Sequence, residues 1–190
     1  MANVVLINGA PNHSSRLNGL LQYAVELLEN DGIDYEIIQI HELPAEDLLT
    51  ANFSSYAIKQ ANETVERAKG VILLTPVYKA SYSGILKTFL DLVPQKGFEN
   101  KVILPLVIGG SLSHLLAIEY ALKPVLSVLG AKQFVSSTYA LDQHIERVGD
   151  KQFILSEEIK GRVANSVNEL ISYLAFAKGV QPVPMNGTGQ

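Results

Sequence analysis

Residues 9–18 combine side chains that could bind an anion. Ser14 and Ser15 supply hydroxyl donors and Arg16 supplies a forked cation, directly before an apolar segment that begins at Leu17. If that segment is a helix, its first turn exposes free N–H groups and the positive end of the helix dipole, which together suit a phosphate. The alternative is that one serine only caps the helix and that Arg16 is solvated. The loop therefore predicts either a phosphate site or an ordinary helix start.

Residues 76–79 could hold a flat heterocycle. They follow four consecutive aliphatic residues, 71–74, which are typical of a strand buried on both faces. The backbone from Pro76 to Lys79 offers amide and carbonyl groups beside the ring of Tyr78, so it provides both an edge and a wall. In the alternative interpretation, Tyr78 and Tyr82 are packing residues that keep their hydroxyls in water.

A third loop, which starts with two glycines, could bind the edge of the same kind of ligand. Gly109, Gly110 and Ser111 directly follow the aliphatic run 102–108. Paired glycines let a ligand approach the backbone closely and leave the amides free for a carbonyl edge. His114 could contact the ligand or a hydride donor, although a histidine near a helix start is more often structural.

Several classes of function lack support in the sequence. No Ser-His-Asp spacing, P-loop or His-rich metal set is visible, and the absence of cysteine excludes disulfides, thiolate nucleophiles and cysteine zinc sites. A net charge of -4 argues against a nucleic-acid binder. No apolar run approaches the roughly 18 residues of a membrane span, and the N-terminus lacks signal-peptide features, so a cytoplasmic location is expected. The histidines are scattered at His13, His41, His114 and His144, and no metal site is predicted.

The elements that must position the three loops alternate along the chain. Strands are predicted at residues 4–8, 35–40, 71–74, 102–108 and 134–139, and helices at 17–30, 54–69, 85–93, 113–129 and 155–178. Thr75 and Pro76 are expected to end the third strand, because proline lacks the donor that a strand ladder needs. We predict one domain over residues 1–178 and a Pro/Gly-containing tail over 179–190.

This alternation predicts an α/β fold, a doubly wound parallel sheet with helices on both faces. The six-stranded dinucleotide fold would need Gly-x-Gly-x-x-Gly after the first strand, which residues 9–14 do not supply. The flavodoxin-like fold with five strands in the order 2-1-3-4-5 needs no such motif and is the one predicted. In this order the three loops leave neighbouring strands at one edge. They could then bind a phosphate, a stacked ring and a ring edge, which are the parts of FMN.

The predicted helix over residues 113–129 has two unusual features. Pro124 has no N–H, so the carbonyl of Tyr120 loses its normal donor, and a kink or π-bulge is predicted there. The helix is also apolar nearly all round, which favours a subunit interface. The alternative is a buried crossover helix in a monomer.

Two blocks of the sequence closely resemble the NADPH-dependent FMN reductases of two-component alkanesulfonate monooxygenase systems. The first comprises residues 75–84 with 86–88, and the second comprises 109–111 with 114–124. The resemblance extends over nearly the whole chain to about residue 178. In the first loop the sequence departs from the family, which usually has serine where Ala10 stands and arginine where Asn12 stands.

The resemblance implies an NADPH:FMN oxidoreductase that passes a hydride from nicotinamide C4 to flavin N5 and supplies reduced FMN to a partner monooxygenase. It implies FMN and NADPH as ligands, a preference for NADPH over NADH, and a homodimer or homotetramer in which the Tyr120 helix packs across an interface beside the flavin. The alternatives are a reductase of quinones or azo dyes that keeps FMN bound, and a flavodoxin-type electron carrier without an NADPH site. The expected flavin contacts are Ser14, Ser15, Arg16, Leu17, Pro76, Val77, Tyr78, Lys79, Gly109, Gly110 and Ser111, with His114 and Tyr120 as possible catalytic residues.

Overall fold

The computed structural model describes residues 3–177, and the predicted tail at 179–190 lies outside the described residues. The chain forms a mostly parallel sheet in the order β2-β1-β3-β5, which confirms the flavodoxin-like order. These strands are β1 (Val4–Asn8), β2 (Tyr35–Gln39), β3 (Gly70–Tyr78) and β5 (Val102–Gly109). The predicted fifth strand is two short ones, β6 (Gln133–Phe134) and β7 (Thr138–Leu141), and both pair with β5 in parallel. Within this range no helix is long and apolar enough to cross a bilayer.

Helices cover both faces of the sheet, as predicted. They are α1 (Leu17–Asn30), α2 (Ala45–Leu49), α3 (Tyr56–Arg67), α4 (Gly84–Leu90), α5 (Lys123–Val128) and α6 (Glu157–Ala177). Successive side chains of β3 pack on opposite faces of the sheet, because side chains alternate in direction along a strand. Leu73 joins the core beneath α3, α4 and α5, whereas Ile72 and Leu74 join the core beneath α1 and α6.

The prediction that Pro76 ends the third strand is wrong, because β3 continues to Tyr78. The carbonyl oxygen of Leu74 accepts from the N–H of Gly9, so the polar groups of Leu74 face β1. Pro76 lies two residues further along β3, so its backbone polar groups also face the side of β1. At that level β1 has already ended, at Asn8. Its missing N–H therefore costs no ladder bond, while the strand stays paired with β5 through Ile108.

The predicted single helix at 113–129 is broken into three segments. A 3₁₀ turn (Leu112–His114) is followed by a π-helix (Ile118–Leu122) and then by α5. The π-helix confirms the predicted bulge, since Pro124 cannot donate to the carbonyl of Tyr120 and the turn widens instead.

Some elements of the described residues have no counterpart in the predicted order. They include the short helix α2 and an antiparallel hairpin of β8 (Ile145–Arg147) and β9 (Phe153–Leu155). The hairpin packs on α1 at Gly19, where an added Cβ would lie 2.9 Å from side-chain atoms of both Ile145 and Phe153. It therefore covers the helix that follows the first loop.

Candidate functional site

The three predicted loops meet at the carboxyl edge of the sheet. The first and second are joined directly, since Ser83 Oγ donates to the carbonyl of Gly9 at 3.1 Å. The second and third loops are adjacent, as shown by the space beside Gly109: a Cβ added there would lie 3.5 Å from Cβ of Val77. The expectation that these loops leave neighbouring strands is therefore confirmed. Open α/β sheets bind their ligands in this crevice.

The first loop is pre-shaped by its own polar groups. Asn12 Oδ1 accepts from both the N–H and the hydroxyl of Ser14, at 3.0 and 2.8 Å. Ser15 Oγ accepts from the N–H of Leu17 at 3.3 Å, which leaves its hydroxyl hydrogen available to a ligand. This bond closes a local turn over two residues, whereas the N-cap position of α1 is Arg16 and no side chain caps it, so the capping alternative is wrong for Ser15. The turn is compatible with an anion at the start of α1.

The side chain of Arg16 is exposed, whereas that of Leu17 is buried. Arg16 is exposed and donates through Nε to the carbonyl of Ile145 at 3.0 Å, a bond that orients the guanidinium without using its two terminal nitrogens. Leu17 is fully buried under the sheet, so only its backbone could face a ligand.

The second loop is a tight antiparallel hairpin. Val77 pairs with Tyr82 and Tyr78 with Ser81, so the short strand β4 (Ser81–Tyr82) folds back on β3. The two turn residues, Lys79 and Ala80, have φ of 52° and 63°, which is a left-handed conformation unusual for residues with a Cβ.

The residues predicted to contact a ring differ in exposure along this hairpin. Pro76 is buried and Val77 is half-buried, whereas Tyr78 leaves 53% of its surface exposed at the edge. Lys79 is exposed as well. The ring of Tyr78 is therefore free to form one wall of a ligand crevice.

The third loop rests on Tyr139. An added Cβ on Gly109 would lie 2.1 Å from the phenolic oxygen of Tyr139, so glycine is required there by close packing. Burial, and to a smaller extent the carboxylate of Asp142, raises the pKa of Tyr139, which keeps its hydroxyl protonated. Gly110 is exposed, and a Cβ there would meet only Asp142 Oδ2, at 3.5 Å. The backbone of Gly110 and Ser111 is thus accessible to a ligand edge.

His114 and Tyr120 lie beyond the third loop. His114 is exposed in the 3₁₀ turn, and Tyr120 leaves 79% of its surface exposed on the π-helix. The π-helix packs against β4, so it borders the second loop. Both side chains point to solvent rather than into the core.

A buried amide network that sequence reasoning missed fixes the first loop to the sheet. Asn8 is fully buried, and its Nδ2 donates to Asn18 Oδ1 at 2.8 Å and to Gln39 Oε1 at 2.7 Å. Asn18 Nδ2 in turn donates to the carbonyls of Asn12 and His13, both at 3.0 Å. A single polar residue at the end of the aliphatic run 4–7 was the only signal in the sequence.

A separate cleft opens at the amino edge of the sheet. It encloses about 680 Å³ and is lined by residues that include Asn62, Leu92 and Lys101. The ammonium of Lys101 donates to the carbonyls of Glu66 and Ala68, at 2.9 and 2.6 Å. Because these bonds stabilise the backbone before β3, we interpret Lys101 as structural and place the site at the opposite edge.

The family of the chain follows from comparison with known proteins. The family model described as NADPH-dependent FMN reductase matches residues 2–146, which is more than half of the chain. The chain belongs to the NADPH-dependent FMN reductase family. The sequence-based prediction of an oxidoreductase that uses FMN and NADPH is thereby confirmed.

Three relatives show how far the similarity extends. An FMN reductase (NADPH) of Pseudomonas putida is 39% identical over 181 residues, which cover 95% of this chain and 91% of that protein. An FMN reductase (NADPH) of Escherichia coli K12 is 46% identical over 144 residues, 75% of this chain and 74% of that one. The crystal structure of NADH:FMN oxidoreductase (EmoB) in its apo form is similar with a TM-score of 0.78 at 30% identity, and covers 97% of this chain and 92% of that one.

Proposed function

We propose that this FMN reductase binds FMN as a releasable substrate across the three loops at the carboxyl edge and passes reduced FMN to a partner monooxygenase. The observation that supports this most is the closeness of the loops, which are joined by the hydrogen bond from Ser83 to Gly9 on one side and have Val77 and Gly109 as neighbours on the other. With the loops this close, the donors of Ser15 and Arg16, the exposed ring of Tyr78 and the accessible backbone of Gly110 lie at one edge, which supports a shared flavin site.

Each loop takes one part of the ligand in this proposal. The phosphate lies at the start of α1, where the hydroxyl of Ser15 and the guanidinium of Arg16 can donate to it. The ring system lies against Tyr78 and the backbone of the hairpin. The N–H groups of Gly110 and Ser111 donate to its carbonyl edge, which the absence of a side chain at Gly110 allows.

The protein's part in the reaction is to hold two planar molecules face to face. A hydride passes from nicotinamide C4 to flavin N5, and solvent supplies the remaining proton. No side chain is required as an acid or base, so His114 and Tyr120 would act by shaping the nicotinamide side of the crevice. The exposed position of both side chains is compatible with contact to a second ligand.

We also propose that the segment around the π-helix forms an interface with a second copy of the chain. Leu112, Leu115, Leu116 and Tyr120 are each at least 45% exposed within nine residues, a concentration of apolar surface that a monomer rarely leaves in water. Analytical ultracentrifugation should show a dimer or tetramer that Leu116→Lys dissociates. A wild-type monomer at micromolar concentration would contradict the interface.

The experiment that tests the function is a turnover assay with purified protein, NADPH and free FMN, followed at the nicotinamide absorbance band. We expect NADPH oxidation that saturates with added FMN, and a slower reaction when NADH replaces NADPH. Oxidation that needs a quinone or azo dye but no added flavin would favour a reductase with bound FMN. No oxidation with either acceptor would favour an electron carrier.

A further inference from the structure

Two histidines that are far apart in the sequence meet at the mouth of the first loop. His13 Nε2 lies 3.4 Å from His41 Nε2, with the ring centroids 4.5 Å apart and the rings nearly perpendicular. The carboxylate of Glu42 completes the cluster, with Oε1 at 3.4 Å from His13 Nε2 and 4.0 Å from His41 Nε2. Three potential ligand atoms therefore surround one point in space.

These separations match the edges of a small coordination tetrahedron. For zinc bound to nitrogen or oxygen at about 2.0–2.1 Å, adjacent ligand atoms are roughly 3.3 Å apart. Both distances from His13 Nε2 are 3.4 Å. The 4.0 Å distance between His41 and Glu42 can close by rotation of the exposed Glu42 side chain, since no backbone movement is needed.

The backbone that carries the cluster is held in place by the amide network. Asn18 Nδ2 donates to the carbonyl of His13, and the same Asn18 is joined through Asn8 to Gln39. Gln39 directly precedes the 3₁₀ turn Ile40–Glu42, which carries the other two residues of the cluster. Because one network fixes both segments, a cation would find its ligands largely pre-positioned and would lose little affinity to ordering them.

We propose that His13, His41 and Glu42 form a binding site for a divalent transition-metal ion of the zinc class. Two imidazoles with one carboxylate suit Zn²⁺ or Co²⁺ rather than Mg²⁺ or Ca²⁺, which prefer all-oxygen sites. Water can supply the fourth ligand, because His13 and Glu42 are both exposed to solvent. The ion would link the loop after β1 to the end of β2, beside the turn that carries Ser14 and Ser15.

Metal titration of tag-free protein tests this site without FMN or NADPH, so its outcome is independent of the proposed function. Isothermal calorimetry with Zn²⁺ should give one bound ion per chain, and Co²⁺ should give the visible absorption bands of a tetrahedral ion. His13→Ala and Glu42→Gln alter exposed side chains, so both variants should fold. Each should weaken Zn²⁺ binding by roughly tenfold or more.

Matched variants outside the cluster serve as controls. His114→Ala removes another exposed imidazole, and Glu46→Gln removes an exposed carboxylate on α2. Both should bind Zn²⁺ like the wild type. An absence of stoichiometric binding to the wild type, unchanged binding by His13→Ala, or an equal loss in His114→Ala would each overturn the site.

Discussion

The hydroxyl of Tyr139 donates to the carbonyl oxygen of Ser111 across 2.8 Å and so ties β7 to the third loop. In the same position its ring fills the space beneath Gly109, where no Cβ would fit. One buried side chain thus supports both the packing and the path of the loop that is expected to face the flavin edge.

Replacement of Tyr139 by phenylalanine should loosen that loop while the core stays packed. The lost hydrogen bond should lower the free energy of unfolding by about 1 kcal/mol and raise KM for FMN several-fold, because Ser111 is no longer held. Urea unfolding and steady-state kinetics measure the two effects. Tyr35→Phe, which removes an exposed hydrogen bond to Glu29, should change neither by a comparable amount. An unchanged KM in Tyr139→Phe would contradict a role for this bond in shaping the loop.

Gly109→Ala should destabilise the protein by about 1–3 kcal/mol, because the new methyl group overlaps the Tyr139 hydroxyl. In the Tyr139→Phe background the clash is reduced, so the two changes together should cost less than their sum. Thermal unfolding of the single and double variants measures this coupling. Gly161→Ala, in an open position of α6, should instead stabilise by up to about 1 kcal/mol. If the effects of Gly109→Ala and Tyr139→Phe on stability were strictly additive, Tyr139 would not restrict residue 109.

Ala80→Gly should stabilise the hairpin of the second loop. Ala80 holds φ at 63°, and glycine adopts that conformation without the steric cost of a Cβ. We expect a gain of about 0.5–1 kcal/mol in the free energy of unfolding. Ala57→Gly in α3 should have the opposite sign, since glycine there only adds chain entropy to the unfolded state. A loss of stability in Ala80→Gly would mean that the turn is not strained.

Arg16→Ala should discriminate between FMN and riboflavin as flavin substrates. If the guanidinium binds the phosphate, its loss should raise KM for FMN by roughly tenfold, about 1.4 kcal/mol, and leave KM for riboflavin nearly unchanged. Arg16→Lys keeps the charge but not the fork and should be intermediate. Equal effects on both flavins would assign Arg16 to its bond with Ile145 alone.

Lys101 gives a prediction about alkaline stability. Burial, helped by the charge of Lys69, lowers its pKa from the ordinary 10.5 in the folded chain. Between the lowered pKa and 10.5 the unfolded chain therefore binds more protons, so this group makes stability rise with pH in that interval. Lys101→Met should abolish this contribution and cost about 1–3 kcal/mol at neutral pH, because the carbonyls of Glu66 and Ala68 lose their donor.

Urea unfolding of both proteins across the alkaline range measures the difference. Other titrating groups cancel in that comparison, since they are common to both chains. Lys96→Met, at an exposed position, should follow the wild-type curve within about 0.5 kcal/mol. Parallel curves for Lys101→Met and the wild type would contradict the lowered pKa.

Sequence reasoning was most successful where a local rule decides the structure. The aliphatic runs identified the main strands, and the strand count without a Gly-x-Gly-x-x-Gly motif favoured the flavodoxin-like order. Since strand ends in a parallel sheet share one edge, the meeting of the three loops was predictable. The π-helix was predictable too, since Pro124 removes a specific hydrogen bond from Tyr120.

The sequence-based predictions failed where contacts between distant parts of the chain determine the structure. Pro76 stays in β3 only because β1 ends early, and nothing near Pro76 in the sequence reveals that. The same holds for His13 and His41, which are brought together by the register of β1 and β2. Their proximity is a property of the folded sheet, and a scan for metal motifs in one stretch of chain could not find it.

The amide network of Asn8, Asn18 and Gln39 has a kinetic consequence under the proposal that FMN is released after each turnover. If the turn at Ser14 and Ser15 binds the phosphate as proposed, the network holds that turn in place before the ligand arrives, so capture should require little reorganisation and departure should trigger no slow refolding of the loop. The residence time of FMN would then depend only on its direct contacts with the three loops. A short residence time is therefore compatible with accurate alignment of the flavin ring while it is bound.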